Sequence, residues 1–294
     1  MKPARAIGVY AVGVIVLGAL LAPWMFLLIH PHLPAMPFHR VFDRVLLAIA
    51  LVGLWPTLRA AGVCSWRELG FPLSGAWWRH VVIGYGIGVG SFIVAGALLI
   101  VLSKRSFDAD LSGRDLLPRI LGFAATGAVV AIVEETFFRG GLQGAMQRAC
   151  GPMKALVITS AVYSVAHFLK PKGQEIAADA VTWSSGFEHL WRVVTLSSRG
   201  SGVVIGFVTL LLAGLALGWA FMKTRALYLS MGLHAGWVCA LKTFAALTGG
   251  GRMIENAWIW PVLAAVVLFV AWLCRTKLKP LTNEPSSAMA PARR

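Results

Sequence analysis

Long apolar runs separated by short polar connections extend along the whole chain. Several runs reach the ~20 residues that a helix needs to cross a bilayer. They do not alternate residue by residue, which argues against an outer-membrane β-barrel. The pattern predicts an all-α, polytopic membrane protein with about eight transmembrane helices. The predicted spans are Ile7–Ile29, Val45–Leu58, Val81–Leu102, Leu117–Arg139 or beyond, Met153–Phe168, Val203–Met222, Leu227–Leu247 and Ala257–Cys274.

Two of these spans have unusual boundaries. The second is short and contains Pro56, which predicts a kink or a partly interfacial position. The fourth has no proline after its apolar part and is expected to continue as a helix to about Arg148. Gly151 and Pro152 then predict a break before the fifth span.

The third span opens on the glycine-rich stretch "GYGIGVG". It contains neither GxGxxG nor a Walker lysine, so a nucleotide-binding loop is disfavoured. Gly84 and Gly88 form one small-xxx-small pair, and Gly86 and Gly90 form another. Such pairs allow close helix contact in lipid, and both are predicted to pack against a neighbouring helix.

The spans and the connections between them predict four regions along the chain. A polar insertion interrupts the second region and has a short amphipathic helix predicted around Phe187–Val194. The last region is polar and is predicted to be a disordered cytoplasmic tail. The four regions are the N-terminal membrane helices (1–116, about three spans), a core with the insertion 170–200 (117–247), the last membrane helix (248–275) and the tail (276–294).

Composition agrees with a membrane protein. Hydrophobic residues make up 58% of the 294-residue chain and charged residues only 13%, whereas soluble domains carry roughly a quarter charged residues. The net charge of +15 comes from basic residues spread among the connections. Anionic lipid headgroups explain that distribution better than nucleic acid does. The expected partners are therefore the lipid bilayer and no nucleic acid, and no oligomeric state is predicted.

The distribution of Lys and Arg also predicts an orientation. If the N-terminus is cytoplasmic, the larger share of the basic residues falls on the cytoplasmic side and most of the acidic residues fall on the other side. An even number of spans then places both termini in the cytoplasm. We therefore predict an integral protein, most simply of a bacterial inner membrane, with cytoplasmic N- and C-termini.

Ionisable residues within the spans need a functional or structural reason, because each costs at least ~2.5–3.5 kcal/mol at the membrane centre. Glu135 and Arg139 are spaced i, i+4 on one helix face and are predicted to form an ion pair. Glu134 points elsewhere and is predicted to be available for acid–base chemistry. Counting from the span ends at 1.5 Å per residue places Glu134, His167 and His234 at similar depth.

A carboxylate and two imidazoles at one depth permit two kinds of site. They could activate a water molecule and stabilise an oxyanion, or they could bind zinc through Glu134, His167 and His234. The chain contains no HExxH motif. The motif of the zinc proteases therefore gives the zinc alternative no support, and both alternatives stay open from these residues. For His167 alone, a packing role is as reasonable as a chemical one.

Three segments resemble motifs of the CPBP intramembrane endopeptidases (CAAX protease and bacteriocin-processing, also called Abi), which include the type II CAAX prenyl endopeptidases. "EETFFR" is similar to EExxxR, "YSVAH" to FxxxH and "HAGWV" to HxxxN, in family order on successive spans. The resemblance implies an eight-helix protease in which Glu134 and His167 activate the hydrolytic water. It implies that His234 helps to form the oxyanion hole, and that Glu135 and Arg139 support the site.

Two positions depart from the family pattern. Tyr163 stands where the family usually has Phe, an exchange of one aromatic ring for another. Val238 stands where the family usually has Asn, and valine cannot donate a hydrogen bond. The loss of one oxyanion donor can cost ~10²–10³ in rate. Trp237 is a candidate replacement because its indole carries an N–H group.

The leading hypothesis is therefore an intramembrane endopeptidase that is glutamate-dependent, with no cofactor favoured, zinc possible and metal dependence unsettled. Its substrate would be a membrane-associated, prenylated or precursor peptide. The alternative is a non-catalytic membrane immunity or scaffolding protein of the same fold, which Val238 keeps open. A transporter is disfavoured because the chain shows no inverted repeat.

Overall fold

A computed structural model describes residues 3–60, 62–63, 65–73, 77–103, 113–167, 176–197, 201–248, 257, 259–278 and 280 of the chain. All regular elements in these ranges are helices, so the predicted all-α class is confirmed. Most of the predicted tail at 276–294 lies outside the described residues.

Ten α-helices, one π-helical segment and one 3₁₀ turn occur in the described ranges. The α-helices are α1 (Pro3–Ile29), α2 (Phe38–Ala60), α3 (Trp77–Ser103), α4 (Gly113–Glu135), α5 (Gly144–Cys150), α6 (Pro152–His167), α7 (Ser185–Ser197), α8 (Ser201–Thr224), α9 (Tyr228–Leu247) and α10 (Ile259–Thr276). The π-helical segment Thr136–Gln143 joins α4 to α5, and Ala178–Ala180 forms the 3₁₀ turn.

Six helical stretches in the described ranges are long and apolar enough to cross a membrane by length and composition. They are Gly8–Ile29, Phe38–Ala60, Trp77–Leu102, Leu116–Cys150, Val203–Thr224 and Ile259–Thr276. Many large apolar side chains on these stretches are exposed, as lipid-facing residues would be. The chain is therefore an integral membrane protein.

The other two of the eight predicted spans are helices of a different character. Sixteen residues of helix α6 are described, fewer than the ~20 of a bilayer crossing. Helix α9 has 20 residues, packs against both α3 and α4, and includes the buried polar residues Ser230 and His234. Because neighbouring helices cover much of α9, its sequence need not be as apolar as that of a lipid-facing span. The predicted number of about eight is thus approximate.

Two predicted boundaries can be compared with the structure. Helix α2 begins at Phe38 and contains Pro56 within its 23 residues, so the second span is longer than predicted. The fourth span is one continuous helical stretch that ends at Cys150, as expected. Gly151 follows with φ 86°, a left-handed conformation that favours glycine and ends the helix.

The chain divides into two compact units, residues 1–64 with 165–203 and residues 65–164 with 204–294. In the first unit, α7 confirms the amphipathic helix predicted around Phe187–Val194. It packs on α1, where the backbone at Gly186 lies so close to the Ala19 carbonyl that a Cβ atom would overlap it. The predicted four-region division follows motifs and spans and stays a prediction.

In the second unit, α3 and α9 meet along a seam of four glycines. A Cβ atom on Gly84 or Gly88 would overlap main-chain atoms of α9, and one on Gly232 or Gly236 would overlap main-chain atoms of α3. Backbone therefore lies directly against backbone, as small-residue pairs allow in membranes. This seam fixes α9, and with it His234, against α3.

Only the first of the two predicted glycine pairs lies in the seam. Gly84 and Gly88 make close approaches, whereas a Cβ on Gly86 or Gly90 would have no atom of the described residues within 4 Å. The prediction for Gly86 and Gly90 is therefore wrong. The two pairs lie two residues, or about 200°, apart around the helix, so they cannot face the same neighbour.

Candidate functional site

Glu135, the last residue of α4, lies at the centre of a buried polar cluster. Its side chain is fully buried, with Oε2 3.4 Å from Nε of Arg139 and Oε1 2.8 Å from Nδ1 of His234. The predicted Glu135–Arg139 ion pair is therefore present. Because a carboxylate only accepts hydrogen bonds, Nδ1 of His234 is the donor. This bond fixes the ring orientation and turns Nε2 to the opposite side.

On that opposite side lies Glu134. Its Oε2 is 3.8 Å from Nε2 of His234, which is too long for a direct hydrogen bond. The Oε2 atom of Glu134 is buried, so a water molecule enters between the two atoms only when the side chains separate slightly. The Glu134 side chain is 28% exposed, whereas that of Glu135 is fully buried. The two adjacent carboxylates therefore have different environments. Glu135 binds the Nδ1 side of the His234 ring, and Glu134 lies on the Nε2 side.

Tyr163 on α6 forms an aromatic wall beside the same cluster. The guanidinium carbon of Arg139 lies 4.5 Å from its ring centroid, a favourable cation–π distance. The rings of Phe138 and His234 meet it edge to face, with centroids 5.1 and 6.2 Å away. The predicted supporting residue Tyr163 thus contacts both Arg139 and His234 and restricts the imidazole on one side.

Two further hydrogen bonds join the cluster to α8. Nη2 of Arg139 donates to the Gly214 carbonyl at 3.3 Å, and Nε2 of Gln143 donates to the Gly218 carbonyl at 2.9 Å. Donors and acceptors are each four residues apart on their own helix, so they match in register. A Cβ on Gly218 would lie 2.7 Å from Oε1 of Gln143. Glycine at that position allows the two helices this close approach.

The π-helical segment Thr136–Gln143 carries Arg139 and Gln143. Such wide turns are rare, lie mostly within α-helices and are frequent at functional sites. The backbone at Gly140 lies close to the chain segment before α3, where an added Cβ would be 2.5 Å from the Leu69 carbonyl oxygen. A larger residue at Gly140 would push that segment away. The glycine therefore allows the π-helical segment to pack against it.

The structure brings together Glu134, Glu135, Arg139, Tyr163 and His234. His167 is the last residue of α6, one helical turn beyond Tyr163, and is partly exposed. It belongs to the first compact unit. Its predicted convergence with Glu134 therefore stays a prediction.

The candidate donor in place of Val238 has another partner. Nε1 of Trp237 donates to the Ser91 hydroxyl at 2.9 Å, and that hydroxyl donates to the Gly88 carbonyl at 2.9 Å. Trp237 therefore joins α9 to α3. Its indole N–H is not available as the oxyanion donor that we considered from the sequence.

Within the described ranges, no group of three or more His, Cys, Asp or Glu side chains is arranged to hold a metal ion. Of the three predicted zinc ligands, Glu134 and His234 face each other in the second unit, and His167 belongs to the first. The zinc site predicted from these three residues therefore stays a prediction.

Two buried polar residues were missed by the sequence analysis, Gln143 and Gln147. They continue a series that begins at Glu135 and Arg139, with one polar residue at every fourth position. All four side chains are at most 2% exposed. A regular series of polar residues on an otherwise apolar helix is the signal that could have identified them.

Comparison with known proteins agrees with the geometry. Residues 116–240 match the family model described as type II CAAX prenyl endopeptidase, Rce1-like. No curated protein and no solved structure matches the chain. The match covers the three motifs and confirms the predicted family resemblance. It supports membrane protease activity of the CAAX type.

Proposed function

We propose that this protein is a glutamate-dependent intramembrane endopeptidase that hydrolyses a peptide bond with a water molecule held between Glu134 and His234. The observation that carries the proposal is the approach of Oε2 of Glu134 to Nε2 of His234, with Glu135 bound to the far side of the ring. The match of residues 116–240 to the type II CAAX prenyl endopeptidases supports the reaction class.

Glu134 serves as the general base in this proposal. It takes one proton from the water while the water oxygen bonds to the scissile carbonyl carbon. The tetrahedral intermediate then collapses, the C–N bond breaks, and the leaving nitrogen receives that proton from Glu134. A positioned acid–base group of this kind contributes about 10²–10⁴ in rate.

His234 acts through the orientation that Glu135 gives it. With Nδ1 held by Glu135, Nε2 faces the water and the substrate carbonyl. When Nε2 carries a proton, it can donate to the oxyanion and supply the stabilisation that such sites require. Because Glu135 also neutralises Arg139, it is a positioning residue and is not expected to touch the substrate.

His167 is assigned to water activation together with Glu134, on the basis of the family resemblance. We also propose that the reaction requires no metal. Activity that survives prolonged treatment with a metal chelator, with no zinc in the purified protein, would support this assignment. Activity that disappears on chelation and returns with zinc would contradict it.

The substrate class proposed is a membrane-associated peptide, with a prenylated C-terminus as the first candidate. The test uses the purified protein in liposomes with a farnesylated peptide, and mass spectrometry detects the released C-terminal fragment. We expect cleavage by the wild-type protein and a loss of at least ~10²-fold in the His234→Ala variant, because the ring supplies oxyanion stabilisation.

The matched control is His32→Ala, which also removes one histidine but from an exposed loop position. It should cleave at the wild-type rate. Equal activity of the His234→Ala and His32→Ala variants would refute the assignment of His234. Cleavage of an unprenylated peptide at the same rate would remove the prenyl group from the proposed specificity.

We further propose that the protein resides in a bacterial inner membrane with both termini in the cytoplasm. The distribution of basic residues supports this orientation. An alkaline phosphatase fused to the C-terminus should be inactive and a fluorescent protein fused there should fluoresce. The reverse pattern would overturn the proposed topology.

A further inference from the structure

The polar series Glu135, Arg139, Gln143 and Gln147, which we call the polar stripe, extends from the site along the helical stretch that ends at Cys150. Its first member contacts His234 and its last lies within one turn of the helix end. The exposed Lys154 follows the break at Gly151, so this end lies near a membrane surface. The stripe therefore connects the site with a water-facing end of the helix.

Several polar atoms of the stripe have no hydrogen-bond partner among the described residues. Beyond Glu135, they are Nη1 of Arg139, Oε1 of Gln143, and both Nε2 and Oε1 of Gln147. The three side chains are at most 2% exposed. A buried polar group left without a hydrogen bond destabilises the folded state. Three such side chains in succession need a common explanation.

Buried water is the group that satisfies such atoms most simply, since it both donates and accepts. Along the stripe, the atoms without a partner are a donor on Arg139, an acceptor on Gln143, and both a donor and an acceptor on Gln147. A file of water molecules can bridge groups arranged in this way. A hydrolase in a membrane must also bring water to its site, because the hydrocarbon layer contains none.

We propose that the polar stripe binds a file of water molecules that supplies the hydrolytic water from the membrane surface near Gly151 to Glu134 and His234. Gln147 forms the entrance, and Gln143 and Arg139 lead to the site. The ligand is water, and the residues act by binding and orienting it. The inference rests on the proposed function for its purpose, although water binding can be tested separately.

The test measures water access by cysteine modification, with the four native cysteines replaced by alanine. Gln147→Cys is compared with Ala145→Cys, because both positions are at most 1% exposed and lie two residues apart, but Ala145 is outside the stripe. A charged, membrane-impermeant methanethiosulfonate is the probe. It should modify the cysteine at 147 at least about ten times faster, because only the thiolate reacts and it forms in contact with water.

Equal rates at the two positions, or no reaction at 147, would overturn the water file. This result does not depend on peptide cleavage, so it distinguishes a failure of the water file from a failure of the protease assignment. Thermal unfolding of both variants establishes that each is folded.

A second variant, Gln147→Leu, keeps the side-chain volume and removes the polar atoms. If Gln147 binds entering water, kcat should fall while KM stays unchanged. Thermal stability should stay at or above the wild-type value. A fall in thermal stability with unchanged kcat would show a purely structural role and overturn the proposal.

Discussion

The Glu134→Gln variant should fold normally and lose at least ~10²-fold of peptide cleavage, because it removes the general base. The substitution preserves the size and hydrogen-bonding capacity of the side chain. Glu134 is 28% exposed and its carboxylate is 3.8 Å from the nearest His234 nitrogen, beyond direct hydrogen-bond distance. The measurement is the cleavage rate of the farnesylated peptide, with the thermal midpoint in detergent recorded for the same preparation.

Glu134→Asp is the informative companion variant. It retains the carboxylate but withdraws it by one methylene, so partial activity is expected where Glu134→Gln has almost none. A Glu134→Gln protein that cleaves at the wild-type rate would contradict the mechanism. A biological function that persists without any cleavage would indicate the non-catalytic immunity or scaffolding protein, which Val238 leaves open.

The Glu135→Gln variant should behave in the opposite way and lose mainly stability. Glu135 is fully buried and is the carboxylate partner of Arg139 at 3.4 Å. Neutralising it leaves the guanidinium charge buried without a counter-charge, which costs about 3–5 kcal/mol in comparable buried pairs. The free energy of unfolding, measured by denaturant titration in detergent micelles, should fall accordingly. The cleavage rate should also fall, because Nδ1 of His234 loses a charged acceptor.

The chain provides a matched control on α7. Glu188 and Arg192 form an ion pair with the same i, i+4 spacing, but their side chains are 44% and 28% exposed. Glu188→Gln should change the free energy of unfolding by at most ~1 kcal/mol, because water screens an exposed pair. Similar losses in Glu135→Gln and Glu188→Gln would show that burial does not set the strength of the Glu135–Arg139 pair.

The fold class, the ion pair and the facing of Glu134 and His234 could be predicted from the sequence. The two site predictions were possible because the cost of burying charge restricts where ionisable residues occur in a membrane helix. The contact of Glu135 with His234 could not be predicted, since the i, i+4 rule describes contacts within one helix only. The partner of Trp237 was also missed, because sequence spacing gives no distance between α9 and Ser91 on α3.

The polar stripe was missed for a geometric reason. In an α-helix, each step of four residues exceeds a full turn by about 40°. Over the three steps from Glu135 to Gln147, the residues would move about 120° around the helix, so their regular spacing did not by itself predict a shared face. The π-helical segment Thr136–Gln143 has a wider turn, with i→i+5 hydrogen bonds, which reduces this drift. No feature of the apolar pattern predicted the wider turn.

Because the wide turn acts as an added residue in the helix, the fourth membrane helix should be more sensitive to its length than to its composition. Deleting one residue between Thr136 and Gln143 would allow ordinary α-helical pitch and rotate all that follows by about 100°. Gln147 would then turn away from its present buried position, even though every polar side chain outside the deletion remained. The number of residues in this helix thus sets its alignment with neighbouring helices. No single substitution would have the same effect as the deletion.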